Sequence, residues 1–166
     1  MYWCILHVKN EKYQQILDFF DREEDVYAFI PKVEKWFKCS EFSAYQLKDM
    51  YPGYIFIKSL LDEESFKSKY EKLFKDICGL KLEEFVSFEG NNENEMFWLF
   101  NNQGVIIHSI GQYNGDKLKI MEGPLCGFET KIKKINRHKR IAKVDFNFLG
   151  INMILPLEVI NGKGSV

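Results

Sequence analysis

The sequence predicts an α+β protein, in which an N-terminal α/β sandwich with an antiparallel sheet precedes a small β-barrel. In about the first 100 residues, strand-like apolar runs alternate with segments whose apolar residues follow helical spacing. Beyond Gly115, short apolar strands follow each other closely with no helical period, a pattern typical of a small barrel. The charge of the chain also changes sign near this point.

The two parts carry opposite charge, although the formal net charge of the whole sequence is only -1. Up to Tyr113 there are 13 basic and 19 acidic residues, a net charge of −6. From Asn114 onward there are 10 basic and 5 acidic residues, a net charge of +5. This division predicts two modules with different partners, and the basic module is a candidate for binding nucleic acid.

The first elements follow from periodicity. Residues 2–8 form an apolar run that predicts a strand, and residues 26–30 predict a second strand that ends at Pro31. Between them, Asn10 can cap a helix whose apolar residues fall at the i, i+3, i+4, i+7 spacing of one helical face. These apolar residues are Tyr13, Ile16, Leu17 and Phe20.

The stretch at residues 50–57, MYPGYIFI, combines a turn with a strand. Its proline–glycine pair at 52–53 is turn chemistry, because proline fixes φ and glycine accepts positive φ. Residues 54–57 are aromatic or β-branched and predict a strand buried on both faces. Aromatic residues at 36–37 and 45–47 flank a polar segment and predict a hairpin that leads into this stretch.

Three further elements complete the sandwich. We expect a second helix after Asp62, a strand at residues 85–88 and a short helix at residues 93–101. The predicted domains are residues 1–110 for the sandwich, 111–114 for a linker and 115–166 for the barrel.

The chain resembles the NusG family in two motifs that occur in the family's order. Residues 50–57 resemble the bend and strand of the family's N-terminal domain, and Trp3 in the first strand also matches. The second motif resembles the KOW motif, with matching residues Gly115, Asp116, Ile120, Gly123, Pro124, Leu125 and Gly127. Thr130 departs from the pattern, since a glycine is usual there. The resemblance covers nearly the whole chain and implies a polymerase-binding NusG-type domain followed by a KOW β-barrel domain.

A dense basic segment at residues 135–140, INRHKR, is similar to the LoaP group, whose members are specialised NusG paralogues that act as processive antiterminators. This resemblance implies a factor that is bound to RNA polymerase and also engages a hairpin in the nascent RNA. The residues that we assign to RNA binding are Lys131, Lys133, Lys134, Arg137, His138, Lys139, Arg140 and Lys143.

The basic residues support this interpretation independently. Residues 131–143 contain seven cations and no acidic residue. In alternating strands, Ile132, Ile135 and Ile141 can face the core while many of the cations share the outer face. Arginine can bridge phosphates and stack on unpaired bases, whereas lysine supplies diffuse charge. The alternative interpretation is an exposed hairpin whose basic edge protects against aggregation.

The family resemblance also implies a polymerase-binding site, in which an apolar cavity of the N-terminal domain docks on the clamp helices of the enzyme. The matching residues are Ile5, His7, Tyr51, Pro52, Tyr54 and Phe56. His7 departs from the apolar or aromatic residue that is usual at its position. A domain bound there would favour the closed, pause-resistant polymerase by shifting a conformational equilibrium, without bond chemistry.

Other classes of function find little support. The sequence has no paired carboxylates, Ser/His/Asp order, GxGxxG motif or P-loop, so we expect neither an enzyme nor a cofactor. The four cysteines form no CxxC pair, which predicts reduced thiols in a cytoplasmic protein and no metal site. No apolar run approaches the roughly 20 residues that span a bilayer, and no signal peptide is evident. We expect a monomer without a membrane partner.

Three alternatives stay open at this point. A general housekeeping NusG elongation factor would also contact the Rho terminator and a small-subunit ribosomal protein, through barrel loops that carry Phe128 and Leu149. A ribosome-associated KOW protein would explain the barrel but not the separate acidic domain. An RNA-recognition-motif protein would explain residues 53–56, but Pro52 stands where that motif requires a basic residue.

Overall fold

The computed structural model describes residues 2–8, 12–78, 86–89, 95–148 and 151–160. Within this part the fold is α+β, as predicted. The elements of the N-terminal half are β1 (Tyr2–His7), α1 (Tyr13–Phe20), β2 (Val26–Phe29), β3 (Lys32–Lys38), β4 (Ser43–Asp49), β5 (Tyr54–Ser59), α2 (Glu63–Cys78) and β6 (Val86–Glu89). A 3₁₀ helix (Glu95–Leu99) and another (Glu129–Lys131) accompany β7 (Val105–Ile106), β8 (Ser109–Asn114), β9 (Lys117–Glu122), β10 (Ile132–Asn136), β11 (Ile141–Phe148) and β12 (Ile151–Ile160).

The chain divides into two compact units, each built from two separate segments. The first unit is Met1–Pro31 with Tyr51–Glu93, and the second is Lys32–Met50 with Asn94–Val166. The β3–β4 hairpin belongs to the second unit because β3 pairs in parallel with β7. Residues 111–114, which the sequence analysis assigns to a linker, lie in β8 and pair with β9. The division by packing therefore differs from the boundary that composition and charge predict.

The first unit contains a four-stranded antiparallel sheet in the order β2-β5-β1-β6. Alternation along β1 sends Tyr2, Cys4 and Leu6 into the core that α1 and α2 cover. Burial of Cys4 raises the pKa of its thiol to about 12. Both helices pack on the same core through apolar residues. The buried ones are Ile16 and Phe20 of α1, and Phe66, Tyr70 and Phe74 of α2. This sandwich leaves the opposite face of β1 and β5 to carry Ile5, His7, Tyr54 and Phe56.

Helix α2 begins where the sequence predicts. The Asp62 Oδ1 atom accepts a hydrogen bond of 2.8 Å from the backbone N–H of Ser65, which satisfies a donor in the first turn. This bond lowers the pKa of the Asp62 carboxyl. The predicted cap Asn10 of the first helix lies outside the described residues, as do Phe85 and Leu149. The short helix predicted at residues 93–101 is present as the 3₁₀ turn Glu95–Leu99.

The second unit contains two sheets. The three-stranded sheet has the order β4-β3-β7, and the five-stranded sheet, here called the C-terminal sheet, has the order β10-β11-β12-β8-β9. Residues 142, 144 and 146 of β11 and residues 153, 155 and 157 of β12 are buried in its core. The intervening residues of β11, including Lys143, lie on its outer face. Among the described residues, no helix is long and apolar enough to cross a membrane.

Candidate functional site

Six residues that the family resemblance assigns to polymerase binding lie together at one end of the sheet in the first unit. They are Ile5, His7, Tyr51, Pro52, Tyr54 and Phe56, and we call them the aromatic patch. In the antiparallel register of β1 and β5, Ile5 lies opposite Phe56 and His7 lies opposite Tyr54. The register therefore brings together residues that are about 50 positions apart in the sequence.

A tight turn fixes the entrance to β5. The backbone N–H of Tyr54 donates to the carbonyl oxygen of Tyr51 at 3.1 Å, which closes the predicted proline–glycine turn. Gly53 has a φ of 94°, a value that L side chains rarely adopt. A Cβ atom at this position would also lie 3.0 Å from the Nε2 atom of His7. The positive φ therefore favours glycine, and a Cβ would in addition require the exposed His7 ring to shift; the turn holds Tyr54 beside His7.

The aromatic patch has an exposed layer and a buried layer. Tyr54 is 38% exposed, and its ring centroid lies 4.8 Å from that of the exposed His7. Ile5 and Phe56 are only 4% and 1% exposed. Tyr51 stacks on Phe56 at 6.0 Å between centroids, and burial raises the pKa of its hydroxyl. The exposed residues of the patch are consequently His7, Pro52 and Tyr54, whereas Phe56 is buried against the half-buried Tyr51 ring.

The eight predicted RNA-binding residues divide into two groups. Four have side-chain partners within the second unit: Lys131 pairs with Glu95, Lys133 with Asp145 at 3.7 Å, Arg137 lies 4.9 Å from the ring centroid of Tyr113, and Arg140 pairs with Glu158 at 2.7 Å. The other four are exposed and form no salt bridge to any described residue: Lys134, His138, Lys139 and Lys143.

Two of the exposed lysines face each other. Lys134 of β10 lies directly opposite Lys143 of β11 in the antiparallel register. Like charges at directly opposed positions of a sheet repel each other and destabilise the pairing. An anion bound between the two ammonium groups would reverse this penalty. We call these residues the lysine pair, and the chemistry they favour is the binding of a phosphate or carboxylate group.

Arg140 has a different environment, which sequence reasoning missed. Its guanidinium carbon lies 3.7 Å from the centroid of the Trp36 ring, a cation–π contact. Its Nη1 atom donates a 2.7 Å hydrogen bond to the Glu158 carboxylate. The residue has a φ of 50° at the end of the β10–β11 turn. Arg140 therefore contacts both the β3–β4 hairpin and β12.

Further contacts surround this arginine. The Tyr45 ring stacks on the His108 ring at 4.0 Å between centroids and 8° between planes, and burial raises the pKa of the Tyr45 hydroxyl. The Glu34 carboxylate accepts hydrogen bonds from the backbone N–H of His108 at 2.7 Å and contacts its Nδ1 atom at 2.6 Å. We call the six residues the Arg140 cluster: Glu34, Trp36, Tyr45, His108, Arg140 and Glu158. The cross-strand pairing of Trp36 with Tyr45 was the one signal available in the sequence.

The described residues hold no group of three or more histidine, cysteine or acidic side chains that could bind a metal ion. Two candidate surfaces therefore stand out by composition: the aromatic patch on the first unit and the exposed cations Lys134, Lys139 and Lys143 on the second.

Comparison with known proteins assigns the family. No curated protein matches the chain. The family model described as transcription termination factor NusG matches residues 1–97, more than half of the 166 residues. The match includes the whole aromatic patch and the β3–β4 hairpin, whereas the C-terminal sheet lies beyond it. Members of this family are transcription factors that bind RNA polymerase and catalyse no reaction. The chain belongs to the NusG family.

Proposed function

We propose that this protein binds the clamp helices of RNA polymerase through the aromatic patch and promotes processive elongation, as an antiterminator of the LoaP type. The C-terminal sheet is the KOW-type barrel of this factor and binds a hairpin of the nascent RNA. The observation that carries the polymerase contact is the exposed pair His7 and Tyr54, which lies within the residues that match the family. An exposed aromatic held rigidly by a turn is a suitable interface anchor.

The mechanism needs only differential binding. A factor that contacts the closed clamp more favourably than the open clamp shifts the population toward the closed, elongating enzyme. Anchoring to an RNA hairpin adds a second contact to the same complex and raises the effective concentration of the factor near the polymerase. Both contacts are non-covalent, so the factor acts by binding energy alone.

The RNA-binding part is supported by the lysine pair. Lys134 and Lys143 repel each other in the free protein, and a phosphate between them would replace that repulsion with two attractive contacts. Lys139 extends the positive surface at the adjoining turn, and the imidazole of His138 adds a hydrogen-bonding group there; both residues are exposed. Asp145, two positions from Lys143 on β11, is already paired with Lys133 at 3.7 Å. The combined field is suited to the polyanionic backbone of RNA.

A pull-down with purified RNA polymerase tests the first contact. We expect Tyr54→Ala to weaken the complex by about 2 kcal/mol, or about 30-fold in affinity, because it removes an exposed anchor. Leu60→Ala is the matched control, since Leu60 is 68% exposed just beyond the other end of β5. Phe56 is unsuitable for this test, because truncating so buried a ring would cost about 3–5 kcal/mol of stability. Equal binding by Tyr54→Ala and the unmodified protein would contradict the proposal.

Fluorescence anisotropy across a salt series tests the second contact. The slope of the logarithm of the binding constant against the logarithm of the salt concentration reports the number of phosphate contacts. We expect Lys134→Ala to make this slope shallower by about 0.7–0.9, the effect of one lost phosphate contact. Lys119→Ala on β9 is the control, because Lys119 is also an exposed lysine of the C-terminal sheet. An identical slope for Lys134→Ala and Lys119→Ala would remove the lysine pair from the interface.

The second candidate is a general NusG elongation factor that contacts Rho or a small-subunit ribosomal protein. Phe128 favours it, because this half-buried ring packs against Phe146 at 5.1 Å and remains partly accessible beside the sheet. Equal affinity for a leader hairpin and for its scrambled version at every salt concentration would select this alternative. Preference for the leader hairpin would select the specialised antiterminator.

A further inference from the structure

A groove of about 430 Å³ lies between β3 and the outer face of the C-terminal sheet, within the second unit. Its volume falls in the range of small-ligand clefts, roughly 300–1,000 Å³. Apolar side chains from neighbouring strands line it, among them Ile141, Ile154 and Pro156. Trp36 lines the side formed by β3. Ile154 is 60% exposed, so an apolar surface of the sheet is open to solvent at this point.

The rim of the groove is positively charged. Lys35 and Lys38 line it from β3, and Lys139 lines it from the turn between β10 and β11, beside the imidazole of His138. The one carboxylate among the lining residues is that of Glu34, whose Oε2 atom is already held by the backbone and ring of His108. Three lysines around an apolar floor favour a ligand that is flat and apolar at its centre and anionic at its edges.

The groove is continuous with the lysine pair. Ile154 of β12 lies directly opposite Lys143 of β11, and Lys143 lies opposite Lys134 of β10. Neighbouring strands of a sheet are about 4.8 Å apart, so an anion at the lysine pair would lie about 5–10 Å from the groove floor. Successive phosphates of a single RNA strand are separated by a similar distance. A strand that crosses the sheet in this direction could therefore use both features.

We propose that this groove binds one unpaired nucleotide of the RNA, with its base against Trp36 and Ile154 and its flanking phosphates against Lys139 and the lysine pair. The inference rests on the proposed RNA-binding function and narrows it to a loop or bulge, because a paired base is enclosed in its duplex and cannot enter a groove. Apolar and aromatic floors bind bases of any identity through their π-faces, while lysines track the backbone. An acidic peptide would satisfy the lysines but would leave the apolar floor exposed, so the composition favours RNA.

A pair of RNA probes isolates the contribution of the base. The first is a fluorescein-labelled hairpin with a loop of uridines, and the second is the same hairpin with abasic loop nucleotides and an unchanged number of phosphates. We expect the full-length protein to bind the uridine loop about 5- to 100-fold more tightly, the effect of one stacked base. Salt dependence is expected to be equal for the two probes, because both carry the same phosphates.

A variant of the groove floor connects this difference to the groove. Ile154→Glu places a carboxylate on the floor and should bring the affinities of the two hairpins to within about twofold of each other. Met121→Glu is the matched control, because Met121 is 51% exposed on β9 and does not line the groove. It adds the same charge to the same sheet and should keep the preference for the uridine loop. Lys35→Ala should weaken both probes, whereas Lys48→Ala, also in the hairpin, should weaken neither.

The outcomes separate the two proposals. Equal binding of both hairpins by the unmodified protein, with salt dependence retained, would overturn the groove proposal and leave RNA binding in place. Failure to bind either hairpin at low salt would overturn both. The third outcome concerns a polyglutamate peptide. If this peptide binds the unmodified protein but not Ile154→Glu, and both proteins bind the hairpins equally well, the groove would be assigned to an acidic protein segment instead.

Discussion

Substitution of Arg140 should release the β3–β4 hairpin from its contacts with the C-terminal sheet. The side chain contributes a cation–π contact at 3.7 Å, worth about 1–2 kcal/mol when partly desolvated. It also donates a charged hydrogen bond to Glu158, worth about 1.5 kcal/mol at the lower end, since both side chains keep a quarter or more of their exposure. Together, the two contacts predict that Arg140→Ala weakens the attachment of the β3–β4 hairpin to the C-terminal sheet by about 3 kcal/mol. Arg140→Lys keeps the charge but loses the planar stack, and should lose about half as much.

Amide hydrogen exchange measures this loss where it occurs. A hairpin of two strands is only marginally stable by itself, so the amides of β3 and β4 depend on the short pairing of β3 with β7 and on contacts such as those of Arg140. A penalty of about 3 kcal/mol should accelerate exchange in β3 and β4 by about 100-fold, while α2 in the first unit keeps its protection. Arg137→Ala is the control, because its side chain lies over Tyr113 of β8 and belongs to the same turn as Arg140. Protection in β3 that changes less than about threefold in Arg140→Ala would refute the role assigned to this arginine.

A double-mutant cycle identifies the partner. If the stack on Trp36 is the main contact, Trp36→Ala and Arg140→Ala together should cost less than the sum of the two single changes, with a coupling of about 1 kcal/mol. Glu158→Gln paired with Arg140→Ala tests the ion pair in the same way. A coupling below about 0.3 kcal/mol for both pairs would mean that the three residues act independently.

Three other predictions concern stability and reactivity. Gly123→Ala should lower the free energy of unfolding more than Gly127→Ala. Both glycines have positive φ, which costs about 1–2 kcal/mol with alanine, but only at position 123 would a Cβ lie 2.6 Å from the backbone of Ser109. Equal losses of stability in urea unfolding would contradict this. Mass spectrometry after iodoacetamide treatment at pH 8 should find Cys126 modified and Cys4 protected, since burial raises the pKa of the Cys4 thiol to about 12; comparable labelling would contradict that burial. Hydrogen bonds from its lysine and tyrosine partners lower the pKa of Glu23 below 4.5, so its stabilising effect is present above that pH and is lost as pH falls through the lowered value; Glu23→Gln should flatten the acid side of the stability profile, and an unchanged acid side would exclude the effect.

Local patterns predicted the elements whose geometry depends on near neighbours. Examples are the helical spacing of Ile16 and Phe20, the start of α2 after Asp62 and the proline–glycine turn. Each depends on residues only a few positions apart, so periodicity and turn chemistry were sufficient. The residues of the aromatic patch came from the family resemblance, which assigned them to one site; the antiparallel pairing of β1 with β5 that brings them together was not predicted. Burial within the patch follows the position of each residue relative to the turn: Tyr54 adjoins the turn and is accessible, whereas Phe56 lies further along β5 and is enclosed.

The parts that escaped prediction depend on contacts between distant positions. Counting cations identified the basic segment, but could not show that Arg140 is engaged by a tryptophan about 100 positions earlier while Lys134 remains exposed. The parallel pairing of β3 with β7 likewise joins segments about 70 residues apart, and parallel strands have no tight turn to announce them. Charge composition therefore identified the basic segment, but only the structure distinguished the cations that contact other side chains of the protein from those that are exposed.

The interleaved segments of the two units have a consequence for synthesis on the ribosome. Tyr45 in the β3–β4 hairpin emerges 113 residues before Glu158, to which its hydroxyl donates a hydrogen bond. At about 5–20 residues per second, the hairpin waits roughly 6–23 s for that partner. During this interval the hairpin, whose exposed apolar side chains include Phe37, Phe42 and Leu47, has not yet packed against the C-terminal strands. The first unit, by contrast, has its last paired strand by residue 89, so it can fold while the second unit is still being translated.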